Sequence, residues 1–155
     1  MKVVLDTNVY ISGIFFTGPP YQVLEAWRDA RIQIVVSPDI LGEYQRVGEA
    51  LASQFPNIDL QPIFELLTLN AEVVPSERLA EPVCVDPDDD KFLACALTSG
   101  AKYIISGDKH LLKASGYKGL KVISPRRFVD DYLYKSPDSC LEMKRQPGGL
   151  KQVDD

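Results

Sequence analysis

Short continuous runs of β-branched and aliphatic residues constrain the fold of this chain more than any other feature. The clearest runs are residues 3–5, 32–36 and 103–105, and two shorter ones cover 73–74 and 122–123. Strands whose successive residues are all apolar are buried on both faces, which is typical of a parallel sheet covered by helices. The runs therefore predict a three-layer α/β/α sandwich around a parallel, Rossmann-like sheet of about five strands.

Segments between these runs carry helical signals. Ser37 and Pro38 suit the cap and first position of a helix over about 38–52, whose apolar stripe is Ile40, Tyr44, Val47 and Leu51. Apolar spacing predicts further helices within 21–30, 63–71, 86–97, 110–113 and 124–132. The length of 155 residues with 45% hydrophobic content suits one domain. We expect that domain over residues 1–134, followed by a polar tail over 135–155.

Composition excludes several classes of protein. The formal net charge of -5 argues against a surface that grips nucleic acid throughout, although carboxylates around a metal ion would also make a nuclease acidic. Cys84, Cys95 and Cys140 form no CxxC pair and fit neither a disulfide framework nor a zinc site. Neither a signal peptide nor a membrane span is evident, so we expect a soluble cytoplasmic protein.

Two acids follow predicted strands directly. Asp6 comes after residues 3–5, and Asp108 ends the Ser106-Gly107-Asp108 segment after residues 103–105. In a parallel α/β sheet the ligand site lies beyond the carboxyl ends of the strands. Either acid alone could simply cap the following helix. Their shared position in the sheet favours a functional site.

Further acids fall on two predicted helices. Glu43 lies about 60° from the middle of the apolar stripe of its helix, on the margin of the buried face, where a carboxylate needs a partner. Residues 86–90 contain four Asp at a helix start, where the helix dipole favours negative charge. Asp89 and Asp90 both fall on the inward arc of that helix. Helical geometry alone leaves these two tied as site residues.

Carboxylates that converge from separate segments would repel one another unless a cation neutralised them. Ligation by oxygen alone selects Mg²⁺ or Mn²⁺, and such ions suit hydrolysis of a phosphodiester. His110, the only histidine, carries little weight as a general base. Candidate substrate contacts are Lys91 and Lys109, although each could be an ordinary solvated charge; further candidates of the same kind are Lys113, Arg126 and Arg127.

Four segments together resemble the PIN-domain family, in particular the prokaryotic branch described as toxins of toxin–antitoxin pairs. They are residues 5–9 (LDTNV), Glu43 with the preceding 36–38 (VSP), 86–94 (DPDDDKFLA) and 104–109 (IISGDK). The resemblance runs from Met1 to about Val129. It implies a doubly wound sheet, an acidic Mg²⁺ or Mn²⁺ pocket, RNA as substrate, an antitoxin protein as a possible partner, and a homodimer.

The resemblance also assigns roles to residues. The four acids of the family fall on Asp6, Glu43, Asp90 and Asp108, with Asp89 as a further candidate metal ligand. The spacing along the sequence to the segment at 106–108 favours Asp90 over Asp89. Asn8 and Ser106 match supporting polar positions. The implied function is a metal-dependent endoribonuclease.

Two other functions compete with this one. A phosphatase of the haloacid-dehalogenase type also begins with an Asp after its first strand, but it needs a second Asp two residues later, and Asn8 stands there. A catalytically inert PIN-like module that binds RNA or protein would be free to lose an acid, whereas this chain carries the complete set. Which RNA is cut, and whether one or two metal ions are bound, is left open by the residues.

Overall fold

Five short strands pair in parallel through backbone hydrogen bonds in the computed structural model of the protein, which describes residues 1–133. The strands of this described part are β1 Lys2–Leu5, β2 Gln33–Val36, β3 Glu72–Val73, β4 Tyr103–Ile105 and β5 Lys121–Ile123. Their order across the sheet is β3-β2-β1-β4-β5. Strands β2 and β3 therefore extend the sheet on one side of β1, and β4 and β5 extend it on the other, so the strand order reverses between β1 and β4. The predicted parallel α/β architecture is confirmed.

Seven α-helices connect the strands of residues 1–133. They are α1 Thr7–Phe15, α2 Pro19–Arg28, α3 Pro38–Ala52, α4 Leu60–Asn70, α5 Asp90–Ser99, α6 Lys109–Leu112 and α7 Pro125–Phe128. A 3₁₀ turn, Pro87–Asp89, precedes α5, and a π-helical turn, Val129–Leu133, follows α7. No helix in this part of the chain is long and apolar enough to cross a membrane.

Two helices differ from the sequence predictions. The pattern did not predict α1, because this helix is buried at five positions and lacks the polar face that gives helical periodicity. The predicted helix over 86–97 is divided, since Asp86 caps the 3₁₀ turn by accepting a hydrogen bond from the Asp88 N–H and α5 begins only at Asp90. The cap of α3 is confirmed: the Ser37 side chain accepts from the Ile40 N–H.

The core is centred on β1. Val3, Val4 and Leu5 have no exposed surface, so both faces of this strand are covered. Helix α5 packs against β1, β2 and β4. The buried apolar residues of the described part form one hydrophobic cluster. The predicted domain end at residue 134 stays a prediction, and the predicted tail over 135–155 lies outside the described residues.

A buried tyrosine pair attaches α3 to the end of β1. The Tyr44 hydroxyl donates a hydrogen bond of 2.5 Å to the Leu5 carbonyl, and the Tyr44 ring stacks on the ring of Tyr10 with centroids 4.4 Å apart. The Tyr10 hydroxyl is also buried, but it has no hydrogen-bond partner among residues 1–133. This hydrogen bond fixes the position of α3 relative to Leu5, the last residue of β1. It therefore also fixes the position of Glu43, which precedes Tyr44 in α3.

Removing each hydroxyl should have a different effect on stability. Tyr44→Phe leaves the buried Leu5 carbonyl without that donor and should lower the free energy of unfolding by about 1–2 kcal/mol. Tyr10→Phe removes an unsatisfied polar atom and should leave stability unchanged or slightly raised. Urea unfolding followed by circular dichroism measures both, and equal destabilisation by the two variants would contradict the assignment.

Candidate active site

The carboxyl ends of β1 and β4 lie side by side at the point where strand order reverses. Leu5 pairs with Ile105, and the Asp6 N–H continues the ladder by donating to the Ile105 carbonyl at 2.9 Å. Asp6 and Ser106 are therefore the first residues beyond the sheet on adjacent strands. Ligand sites of open parallel sheets form at such a switch point.

Asp6 is a buried carboxylate with a dedicated partner. Its side chain is only 6% exposed and accepts a hydrogen bond of 2.6 Å from the Ser106 hydroxyl. Although Asp6 stands at the N-cap of α1, its side chain makes no capping hydrogen bond to that helix. Burial raises the pKa of Asp6, and the charges of Asp108 and Glu43 raise it further against the opposing effect of Ser106. The capping explanation for this acid is thus not supported.

Ser106 joins Asp6 to Asp108. While its hydroxyl donates to Asp6, the same oxygen accepts from the Asp108 backbone N–H at 3.0 Å. Asp108 does serve as a cap, because its side chain accepts from the His110 N–H at the start of α6. The His110 side chain is exposed. The two acids that follow strands therefore meet through one fully buried serine.

Glu43 approaches from α3 and has partners for both carboxylate oxygens. Oε2 accepts a hydrogen bond from the Thr7 hydroxyl, and Oε1 lies 2.5 Å from the Lys91 ammonium nitrogen. The side chain of Glu43 is 15% exposed, in agreement with its expected place on the margin of the buried face. The sequence suggested a metal as the partner of this carboxylate, whereas the structure supplies Lys91.

Hydrogen bonding distinguishes Asp89 from Asp90, which helical geometry left as equal candidates. The Asp90 carboxylate accepts from the backbone N–H groups of Val83 and Cys84 at 3.2 and 2.8 Å, so it fastens the preceding loop to α5. Asp89 makes no capping bond with its side chain. Burial raises the pKa of Asp89 to about 7, with further contributions from Asp6 and Asp108. The charges of the two acids at the strand ends therefore act on Asp89, while the Asp90 carboxylate accepts from the preceding loop; the third acidic ligand stays a prediction.

The remaining candidates lie at the edge of this group. Asn8 is exposed in the first turn of α1, and Lys109 is exposed at the start of α6. Lys91 is nearly buried instead of reaching into solvent. Sequence reasoning missed Thr7, whose hydroxyl binds Glu43; the only signal was a hydroxyl residue next to an acid at a strand end.

Oxygen is the ligand atom that this group offers. No set of three or more His, Cys, Asp or Glu side chains within residues 1–133 is preformed as a metal site. Cys84 lies beside Asp90, and burial together with that acid raises the pKa of its thiol to about 12, so it stays protonated. Carboxylates that repel one another, with no thiolate or imidazole among them, match the preference of a hard divalent cation.

Taken together, the fold and the grouped acids define a parallel α/β protein with an acidic site at its topological switch point. A family model described as PIN domain matches residues 2–110. The chain belongs to the PIN-domain family.

Two further comparisons found similar proteins. A protein from Methanocaldococcus jannaschii, named uncharacterized protein MJ1680, is 31% identical over 145 residues, covering 85% of this chain and 92% of its own length. The crystal structure of VapBC2 from Rickettsia felis, bound to a DNA fragment from their promoter, contains a chain that matches with a TM-score of 0.55. That match has 15% identity and covers 80% of this chain and 98% of the other, so it supports the fold alone.

The different environments of Asp89 and Asp90 predict opposite effects of the same substitution. Asp90→Asn places an NH₂ donor where a carboxylate oxygen accepts from backbone N–H groups, and it should destabilise the fold by about 1–3 kcal/mol. Asp89→Asn removes a charge that burial and three acids disfavour, so at pH 8 it should leave stability unchanged or raised. Urea unfolding in EDTA measures both, and a larger loss for Asp89→Asn would contradict this distinction.

Proposed function

We propose that the protein is a Mg²⁺- or Mn²⁺-dependent endoribonuclease whose reacting site is the acidic cluster of Asp6, Glu43, Asp89 and Asp108. Membership of the PIN-domain family supports a nuclease. The observation that carries the proposal is the hydrogen-bonded chain from Asp6 through Ser106 to Asp108 at the ends of β1 and β4. The charges of Asp6 and Asp108 also raise the pKa of Asp89, which supports including that acid. Asp90, which the resemblance favoured, acts in this proposal as a structural residue.

Asp6, Asp89 and Asp108 would hold the cation. Within residues 1–133 no three His, Cys, Asp or Glu side chains form a ligand set as they stand, so binding the ion would require these side chains to move. When bound, the divalent ion would supply charge neutralisation and an activated water for in-line attack on a phosphodiester. Ser106 would orient Asp6 by donating to one oxygen, leaving the other for the ion.

Exposed cations next to the cluster would contact the substrate backbone. Lys109 follows Asp108 directly and is exposed, so its ammonium could reach a phosphate that flanks the cleaved bond. Lys91 is not available for that role, because Glu43 and Asp88 engage its ammonium. Asn8, exposed in the first turn of α1, would hydrogen bond to water or substrate at the rim.

The biological setting belongs to the same proposal. The fold match to a chain of VapBC2 and the resemblance of the sequence to PIN toxins support a toxin that an antitoxin protein inhibits in the cytoplasm. A neighbouring small open reading frame whose product binds this chain and blocks cleavage would support that setting.

A cleavage assay tests the function directly. The full chain should cut single-stranded RNA in Mg²⁺ or Mn²⁺ and lose activity in EDTA. Asp6→Asn and Asp108→Asn should each lower the rate by about 10³-fold or more, because each removes an oxygen ligand from the ion. Glu49→Gln, on the exposed face of α3, is the matched control and should retain the parent rate.

The competing functions give other results in the same assay. Unchanged cleavage by the Asp6→Asn and Asp108→Asn variants would refute the assigned roles. Release of phosphate from a phosphomonoester, without RNA cleavage, would indicate the phosphatase. Binding of RNA and metal without turnover would indicate the inert module.

The proposed homodimer has a candidate surface on α4. Leu66 and Leu69 are 57% and 81% exposed, although large aliphatic side chains on an amphipathic helix usually face a partner or the core. Light scattering after size-exclusion chromatography should show a dimer for the parent chain and a monomer for Leu69→Glu. Thr68→Glu is a control on the same exposed helix, and a dimer that survives Leu69→Glu would exclude this surface.

A further inference from the structure

Lys91 is a positively charged residue that contacts Glu43, one member of the acidic cluster. From the first turn of α5 its ammonium lies 2.5 Å from Glu43 Oε1, 2.9 Å from Asp88 Oδ2 and 2.9 Å from the Asp88 carbonyl oxygen. An ammonium group has three donors, and these contacts use all of them. The side chain is only 12% exposed. Lys91 is therefore fixed in place and cannot swing out to a substrate without breaking three contacts.

Both carboxylate oxygens of Glu43 also have partners. Oε1 contacts Lys91 and Oε2 accepts from the Thr7 hydroxyl, so a metal ion at Glu43 would compete with one of these contacts. Thr7 lies at the start of α1 and Lys91 in α5, which means that two separate elements hold the Glu43 carboxylate. A cation that bound Glu43 Oε1 would have to displace the Lys91 ammonium, which is only 12% exposed and would keep Asp88 as its one carboxylate partner.

The other end of the cluster lacks such a cation. No salt bridge joins a Lys or Arg of residues 1–133 to Asp6, Asp89 or Asp108. Lys91 pairs with Glu43 and Asp88 instead. The carboxylates of Asp6, Asp89 and Asp108 therefore have no lysine or arginine partner within residues 1–133.

We propose that Lys91 takes the place of a second metal ion, so that the site binds one divalent cation at Asp6, Asp89 and Asp108 while Glu43 stays paired with the lysine. This inference rests on the proposed nuclease function. Glu43 then acts as a positioning residue, which holds Thr7 at the start of α1 and Lys91 in α5, and not as a ligand.

Counting bound Mn²⁺ tests the inference without measuring activity. Titration of the full chain with Mn²⁺, with free ion measured by electron paramagnetic resonance, should give one ion per chain. Lys91→Met keeps the length of the side chain but frees Glu43, and it should bind two ions. The second ion should be lost again in the double variant Lys91→Met/Glu43→Gln, and Lys91→Arg should bind one.

A second measurement does not depend on Lys91→Met being folded. Glu43→Gln in the parent chain should still bind one Mn²⁺, with a Kd raised by at most about 10- to 100-fold, as expected when a residue that only positions its neighbours is removed. Loss of all Mn²⁺ binding by folded Glu43→Gln, as expected for removal of a direct ligand, would overturn the inference. Lys102→Met, on an exposed lysine outside the site, is the matched control for loss of charge.

The outcomes separate this inference from the proposed function. Two ions on the parent chain, or one ion on folded Lys91→Met, would overturn the role of Lys91 and leave a metal-dependent nuclease intact. A parent chain that binds no Mn²⁺ and cuts no RNA would overturn both. One ion on the parent and two on Lys91→Met would support the inference, whatever the RNA substrate proves to be.

Discussion

The parallel register of β1 and β4 determines the arrangement of the whole site. Because Leu5 pairs with Ile105, Asp6 and Ser106 leave the sheet at the same height, and the serine hydroxyl can bind one acid while its oxygen accepts from the backbone of the next. A shift of one residue would turn Asp6 to the opposite face of the sheet.

Grouping acids at this edge opposes folding, and the surrounding contacts offset only part of the cost. Burial and mutual repulsion disfavour charge on Asp6 and Asp89, while Ser106 stabilises the former. Glu43 is better compensated, by Thr7 and Lys91. Functional sites commonly retain such unfavourable electrostatics because the bound ligand relieves them. In this chain the relief would fall on the three acids that lack a lysine.

Local patterns in the sequence predicted the parts of the structure that depend on local physics. Apolar runs predicted the buried strands, and the Ser37 cap with its apolar stripe predicted α3, because burial and capping act over a few residues. The choice between Asp89 and Asp90 could not be made in this way, since both point to the same arc of a helix. It depends on a loop that brings the N–H groups of Val83 and Cys84 to the Asp90 carboxylate. The Glu43 to Lys91 pair likewise joins helices that only the sheet brings together.

An acidic protein can act on RNA only if its positive charges are concentrated where the substrate runs. The carboxyl ends of all five parallel strands of residues 1–133 point to one edge. The helices that follow β4 and β5 there, α6 and α7, carry the exposed cations Lys109, Arg126 and Arg127. Arg127 also pairs with Asp131, which holds its guanidinium close to α7. Phosphates lying along this edge would meet these cations first and the acidic cluster only through a bound metal ion. The net charge of -5 is therefore compatible with the proposed function, in which attraction of RNA and catalysis would use neighbouring parts of the same sheet edge.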